Sequence, residues 1–275
     1  MRYRLRPYAS VVSARYRMLL QYRAAAIAGF GTQLFWGFIR LMILAAFYSA
    51  SRQTPPMSMA EIVDYVWLGQ AMFAILPWNA DTEFVRNVRS GAVAYELLRP
   101  LDLYTLWFAS ALAFRTAPMS LRCIPLVTVS MGVLPWLGFE AWALKWPPSL
   151  IHGGLFIVSF GLAILLSTCL TMLMHISMLW TISSQGIDRV VPAITVVLSG
   201  MVVPLPLYPD WLQPLFWLQP FRGLVDVPFR IYSGNMPLSL ASVEMMGQLL
   251  WIGALVTLGR FLLARGTRKL VVQGG

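Results

Sequence analysis

Apolar residues in this chain fall mainly in long runs, not in the alternation of a half-buried strand. The first run, 24–48 (AAAIAGFGTQLFWGFIRLMILAAFY), is followed by 62–80 (IVDYVWLGQAMFAILPWNA) and by others at 117–138, 150–174, 190–205 and 246–264. Runs of about 18 or more such residues are what a helix needs to cross a bilayer. The pattern therefore predicts an all-α integral membrane protein with six transmembrane helices, a single transmembrane domain over 1–275. Residues 103–138 are longer than one span and shorter than a comfortable pair, and Arg115, Pro118 and Arg122 interrupt them. The expectation there is an interfacial helix over 104–116 leading into one span.

Ahead of the first run, Tyr8, Val11, Val12, Tyr16, Leu19 and Leu20 recur at helical spacing, while Ser10, Ser13, Arg17 and Gln21 take the other face. Residues 1–23 thus read as a cytoplasmic amphipathic helix lying on the inner leaflet. The roughly 25-residue run behind it is too long for the core of a removable signal, so the first span is expected to stay.

Composition narrows the function classes. Apolar and aromatic residues make up 58% of the 275 and charged ones only 12%, against about 25% charged in soluble domains. There is too little polar surface for a soluble enzyme and too much hydrophobicity for a disordered chain. The net charge of +10 first suggests a nucleic-acid partner, but its placement says otherwise. With the N-terminus inside, sixteen of the 21 Lys and Arg fall in cytoplasmic segments, Arg52, Lys145, Arg222 and Arg230 fall outside, and Arg40 lies within a span. That is the positive-inside pattern, with anionic lipid as the counter-charge and both termini cytoplasmic. Cys123 and Cys169 both fall in spans and read as packing residues.

Two connecting segments stand out. In 81–103, Asp81 can cap a short helix whose apolar side is Phe84, Val85 and Val88, and Gly91 can end it. Arg86 and Arg89 then project outward, and Pro100 turns the chain back toward the membrane. This is either an ordinary basic loop or a docking element for a cytoplasmic partner. Seven of the 18 prolines fall in the 34 residues from Pro204 to Pro237, and in the overlapping segment 206–245 the pieces are too short to span and too apolar for a solvated loop. Such a segment dips into the outer leaflet and back, or caps the bundle, or is an aromatic belt with loop prolines.

The basic leader, six spans, the string Glu96-Leu97-Leu98-Arg99-Pro100-Leu101-Asp102, and Leu207-Tyr208-Pro209-Asp210-Trp211-Leu212-Gln213-Pro214-Leu215 with Leu218-Gln219-Pro220-Phe221 before the last span resemble bacterial ATP-binding-cassette permeases of the type-2 exporter class. The likeness covers nearly the whole chain. It implies a subunit in the cytoplasmic (inner) membrane that pairs with a second permease, identical or homologous, and with a pair of ATP-binding subunits. Those would dock on the 82–91 helix, with Glu83, Phe84, Arg86, Asn87 and Arg89 as coupling residues. It also implies that 206–236 forms re-entrant extracytoplasmic helices. No Gly-rich phosphate loop surrounds the chain's two lysines, Lys145 and Lys269, so ATP and its Mg are expected on the partner, with no cofactor, metal site or catalytic residue here.

Arg40 is the one charge well inside a span, and Gln33 lies two turns earlier on the same face. Intramembrane charge points to function by default; otherwise Arg40 snorkels outward or pairs with Asp64. Ser167, Thr168, Thr171, Thr195 and Ser199 are small polar residues that serve close packing or, with Gln33 and Arg40, a translocation path. Uncharged spans suit an amphipathic or lipid-like substrate. His152 and His175 sit near opposite ends of one span, each an interfacial residue, and cannot share a metal. A secondary transporter or channel, an intramembrane enzyme and a non-transporting scaffold remain as rivals. The first lacks a mid-membrane acid and the second lacks a polar cluster at one face.

Overall fold

The computed structural model describes residues 2–21, 23–51, 54–181 and 183–268, and among them it contains helices and irregular chain but no strand. Arg52 and Lys269, counted above among the loop and tail charges, lie outside the described residues. The helices are α1 (Arg2–Leu19), α2 (Arg23–Ala50), α3 (Met59–Ala71), α4 (Thr82–Arg89), α5 (Val93–Leu97), α6 (Leu103–Thr128), α7 (Leu134–Trp136), α8 (Leu150–Thr181), α9 (Ile187–Leu198), α10 (Gln213–Trp217), α11 (Asp226–Ser233) and α12 (Leu238–Thr267).

Four stretches are long and apolar enough to cross a membrane: Ala26–Ala50, Leu103–Trp136, Leu150–Thr181 and Leu238–Thr267. The last three hold 34, 32 and 30 residues, so at 1.5 Å per residue each is roughly 45–51 Å long and exceeds the hydrocarbon thickness of ~30 Å. The runs 62–80 and 190–205 do not form helices of that length. In the first, α3 ends at Ala71, a single 3-10 turn covers Phe73–Ile75, and Leu76 is extended at φ −62° and ψ 146°. Leu76 precedes Pro77, and a proline forces that conformation on its predecessor. In the second, α9 is 12 residues long with Pro192 inside it.

A separate interfacial helix over 104–116 does not form: α6 runs unbroken from Leu103 through Pro118 and Pro125, and a five-residue π turn at Val129–Val133 carries it into α7. Asp102 caps its start by accepting from the backbone N–H of Thr105 at 2.9 Å. Burial opposes ionisation of Asp102, but the hydrogen bonds from Thr105 and the nearby Arg260 outweigh it and hold the carboxyl below its ordinary range. Helix α1 lies along α6: the Asp102 N–H donates to the Tyr8 hydroxyl at 2.9 Å, and the Tyr16 and Ser120 hydroxyls share a 2.6 Å bond. The leader's apolar face thus meets protein as well as whatever lies beyond it.

Helices α8 and α12 run side by side in the same direction, with Ser159 bonded to Gln248 at one end and Leu179 against Gly266 at the other. Helix α6 opposes them, since Arg260 of α12 reaches Asp102 at 3.2 Å. Helix α3 fills the centre. All ten residues from Ile62 to Ala71 are buried, so this helix has no polar face and is covered on every side. Its Tyr65, Trp67 and Leu68 pack with Leu126 of α6, Leu166 and Cys169 of α8 and Phe229 of α11. Ser58 and Glu61 close a capping box at its start.

The proline-rich stretch after α9 is a chain of short turns stapled by its two Gln-Pro pairs. Gln213 donates through Nε2 to the carbonyls of Leu205 and Tyr208, and Gln219 to those of Leu198 and Phe216. Arg222 and Arg230, counted above as loop charges, are turned inward. Arg222 pairs with Glu244 at 2.8 Å, and Arg230 with the fully buried Asp226 at 3.5 Å. Helix α12 begins at Leu238, eight residues ahead of the apolar run at 246, because Pro237 starts it and Ala241 and Glu244 are buried against the rest.

Candidate functional site

Two places gather chemistry. The first is the short helix α4, whose Asp81 side chain accepts from the backbone N–H of Glu83 at 3.0 Å and caps it. The helix stops at Ser90, and Gly91 takes φ +75°, a left-handed conformation that favours glycine. Phe84 is turned inward, stacked on His175 at 4.2 Å between centroids and edge-on to Trp107 at 4.7 Å. Arg86 and Arg89 face solvent. Glu83 pairs with Arg15 of α1 at 2.9 Å, and Arg15 also pairs with Asp81. Asn87 lines a pocket of about 440 Å³ between α1, α4 and α6.

His175 is turned into the protein and does not face its surroundings. It is 2% exposed, and its Nε2 accepts from the Asp81 N–H at 3.0 Å, which fixes that nitrogen as the unprotonated one. It belongs to a set of side chains that bind the broken strand of chain leading into α4. Arg115, 2% exposed, donates to the carbonyls of Leu76 at 3.0 Å and Asn79 at 2.5 Å and to the Thr171 hydroxyl at 2.8 Å. Ser167 donates to the Ile75 carbonyl, and Asp188 of α9 accepts from the Ala80 N–H at 2.7 Å. Irregular backbone among apolar helices is stable only if its polar groups are met this way. Arg15, Arg115, His175 and Asp188 were not among the expected site residues.

The second place is a pocket of about 790 Å³ on the side of the bundle, between α2, the turn after α3, and the end of α9. Gln33 and Arg40 both line it. Arg40 neither snorkels outward nor meets Asp64: it donates through Nη2 to the carbonyls of Met201 and Val202, the latter at 2.9 Å. Asp64 instead accepts from the Lys145 N–H at 2.8 Å. Thr168, Thr171 and Ser199 are fully buried elsewhere. Thr168 donates to the Ile164 carbonyl one turn back at 2.8 Å, Thr171 receives Arg115, and the Ser199 oxygen accepts from the Met201 N–H at 3.3 Å. The structure thus brings together Gln33 and Arg40 of the expected path residues and seats the other three in helix packing.

Neither the curated proteins nor the solved structures searched gave a match. A family model described as "ABC-2 family transporter protein" matches residues 26–274. Members of that family are membrane transport components that work with ATP-binding subunits. With apolar helices long enough to cross a membrane several times, this chain is a multi-pass permease of the ABC-2 transporter family.

Proposed function

We propose that the chain is the membrane-spanning subunit of an ATP-driven exporter, moving an amphipathic or lipid-like substrate outward across a bacterial cytoplasmic membrane. It works as a pair of permeases, identical or homologous, with a pair of ATPases that bind ATP and Mg and do the hydrolysis. The chain crosses six times. Four crossings are the long helices, and two are the broken segments 59–81 and 187–204, whose irregular backbone is buried against them. The 82–91 helix receives the ATPases on the cytoplasmic side, 206–236 forms a re-entrant cap outside, and both termini are inside.

The observation that carries this reading is the mounting of α4. Its apolar residue Phe84 is locked onto α6 and α8, its N-terminus is tied to α1 and α8, and Arg86 and Arg89 are left facing outward. A helix held at its base with two exposed cations suits transmission of a push from an acidic docking surface into the bundle, where a central path switches exposure. The double variant Arg86→Glu with Arg89→Glu is expected to leave ATP hydrolysis by the assembled complex running while transport falls at least about tenfold, a loss of about 1.4 kcal/mol of coupling. Transport equal to the parent at equal expression counts against α4 as the docking helix. Within the path, Arg40→Ala is expected to impair transport more than Arg52→Ala.

A further inference from the structure

The pocket beside α2 has an electrostatic imbalance that the permease reading does not explain. Among the described residues no carboxylate lies within 4.0 Å of Arg40. Its hydrogen-bond partners are two backbone carbonyls, which offer dipoles but no opposing charge. Arg40 is half-buried, and a cation drawn partly out of water is ordinarily paired, because the hydration it loses is otherwise uncompensated. Gln33, 5% exposed, has no hydrogen-bond partner among the described residues at either Oε1 or Nε2. It stands seven residues before Arg40 on one face, roughly 10 Å along the axis. Unmet polar atoms at this depth lose their hydration without return. Around these two groups the walls are apolar, formed by Trp36, Ile43 and Phe47 of α2 with Phe73, Trp78 and Leu207. The volume of about 790 Å³ lies within the ~300–1,000 Å³ typical of sites for drug-sized ligands.

Resting on the permease reading, we propose that this pocket takes an anionic amphiphile: a carboxylate or phosphate group at Arg40, a second hydrogen-bonding group at Gln33, and an apolar body against Trp36, Ile43 and Phe47. An organic cation would meet uncompensated positive charge. A bare inorganic anion would leave the aromatic walls facing nothing. A wholly apolar molecule would leave Arg40 and Gln33 as they stand. The single negative charge with an apolar remainder is the chemistry that satisfies all three features.

The test uses the full-length protein in a neutral detergent, without nucleotide. The probes are dansyl-undecanoic acid, its methyl ester, dodecyl phosphate as a competitor, and inorganic phosphate. The acid is expected to bind at least about tenfold more tightly than the ester, with Arg40→Gln removing that difference and Arg40→Lys keeping most of it. Dodecyl phosphate displaces the acid and inorganic phosphate does not. Gln33→Leu weakens the acid by about threefold. Ile43→Trp, which fills the wall without touching Arg40, weakens acid and ester alike, and it decides the matter if Arg40→Gln does not survive purification. Equal binding of acid and ester, displacement by inorganic phosphate as effective as by dodecyl phosphate, or full binding by Ile43→Trp overturns the proposal. These outcomes are independent of the ATPase. A complex that hydrolyses ATP but ignores the acid refutes the ligand alone, whereas acid binding by a protein that no ATPase accompanies refutes the permease reading alone.

Discussion

Arg115→Leu removes the guanidinium that binds the irregular chain between α3 and α4. Three groups lose a donor: the carbonyls of Leu76 and Asn79 and the hydroxyl of Thr171. Thr171 keeps its own bond to the Ser167 carbonyl at 2.9 Å and the Leu76 carbonyl keeps the Trp78 N–H at 2.8 Å, so the Asn79 carbonyl carries most of the cost. At about 1–3 kcal/mol for the one buried group left unmet and about 0.5–1.5 kcal/mol for the second bond lost at Leu76, the gross loss is about 1.5–4.5 kcal/mol. Relief from burying a charge, and partial cavity filling by leucine, offset part of it. A net loss of about 1–3 kcal/mol remains, which lowers a thermal midpoint by on the order of 2–12 °C in a chain of this size. The assay is the loss of monodisperse protein on heating in detergent, followed by size-exclusion chromatography. Arg115→Lys keeps the charge but cannot reach three acceptors from a planar fork, and falls between parent and leucine variant. Ser167→Ala, which frees the Ile75 carbonyl of the same segment, combines non-additively with Arg115→Leu. A leucine variant melting within about 1 °C of the parent would falsify the claim that this arginine holds the segment.

Other expectations concern the coupling region and the cap. Arg15→Glu sets a third acid beside Asp81 and Glu83, so ATP-driven transport drops more than binding of the ATPase, and adding Glu83→Arg recovers part of it; no recovery would place the effect outside this pair. Gly200→Ala forces a side chain into φ +84° where its Cβ would stand 2.5 Å from the Tyr65 hydroxyl, costing about 1–3 kcal/mol, read as a lower midpoint. Asp102→Ala removes the cap of α6 and costs about 1 kcal/mol near neutral pH. Because the folded-state carboxyl sits below its ordinary range, that contribution is present above the unfolded value and fades as pH falls through the folded one. The gap between parent and variant therefore closes only in strongly acidic buffer, and a gap that closes between pH 5 and 7 would speak against the assignment.

The parts legible in the sequence are those set by neighbouring residues. Asp81 and Gly91 delimit α4 because a cap and a left-handed stop are local requirements, and Phe84, Val85 and Val88 choose its inner face by spacing alone. The family likeness was readable too, through the order of elements. Hydropathy could not tell the run 62–80 from an unbroken helix, since it counts apolar residues and is blind to Pro77, whose effect depends on what receives the freed carbonyls. The carbonyls are met from far along the chain by Arg115 and Ser167, and the N–H groups of Ala80 and Asp81 that follow are met by Asp188 and His175. A sign of Arg115 was present: it lies among Ala109, Ala111, Ala113 and Ala117, all buried, and such small residues let another segment approach closely. Read as a break in a span, the arginine in fact sits inside an unbroken α6 and serves the neighbouring segment. Arg222 likewise passed for a loop charge because its partner, Glu244, is brought to it only by the folded cap, whereas Arg230 and Asp226 are one helical turn apart and their pairing was within reach of spacing alone.

Isolation of the full-length protein from its native membrane in mild detergent, followed by an ATPase assay on the purified material, bears on the whole picture at once. An ATP-driven exporter's membrane subunit carries a nucleotide-binding protein with it, and the complex hydrolyses ATP at a rate that Arg86→Glu with Arg89→Glu no longer ties to transport. A protein that purifies alone, and whose preparation shows no ATPase activity under conditions that keep it folded, contradicts the assignment.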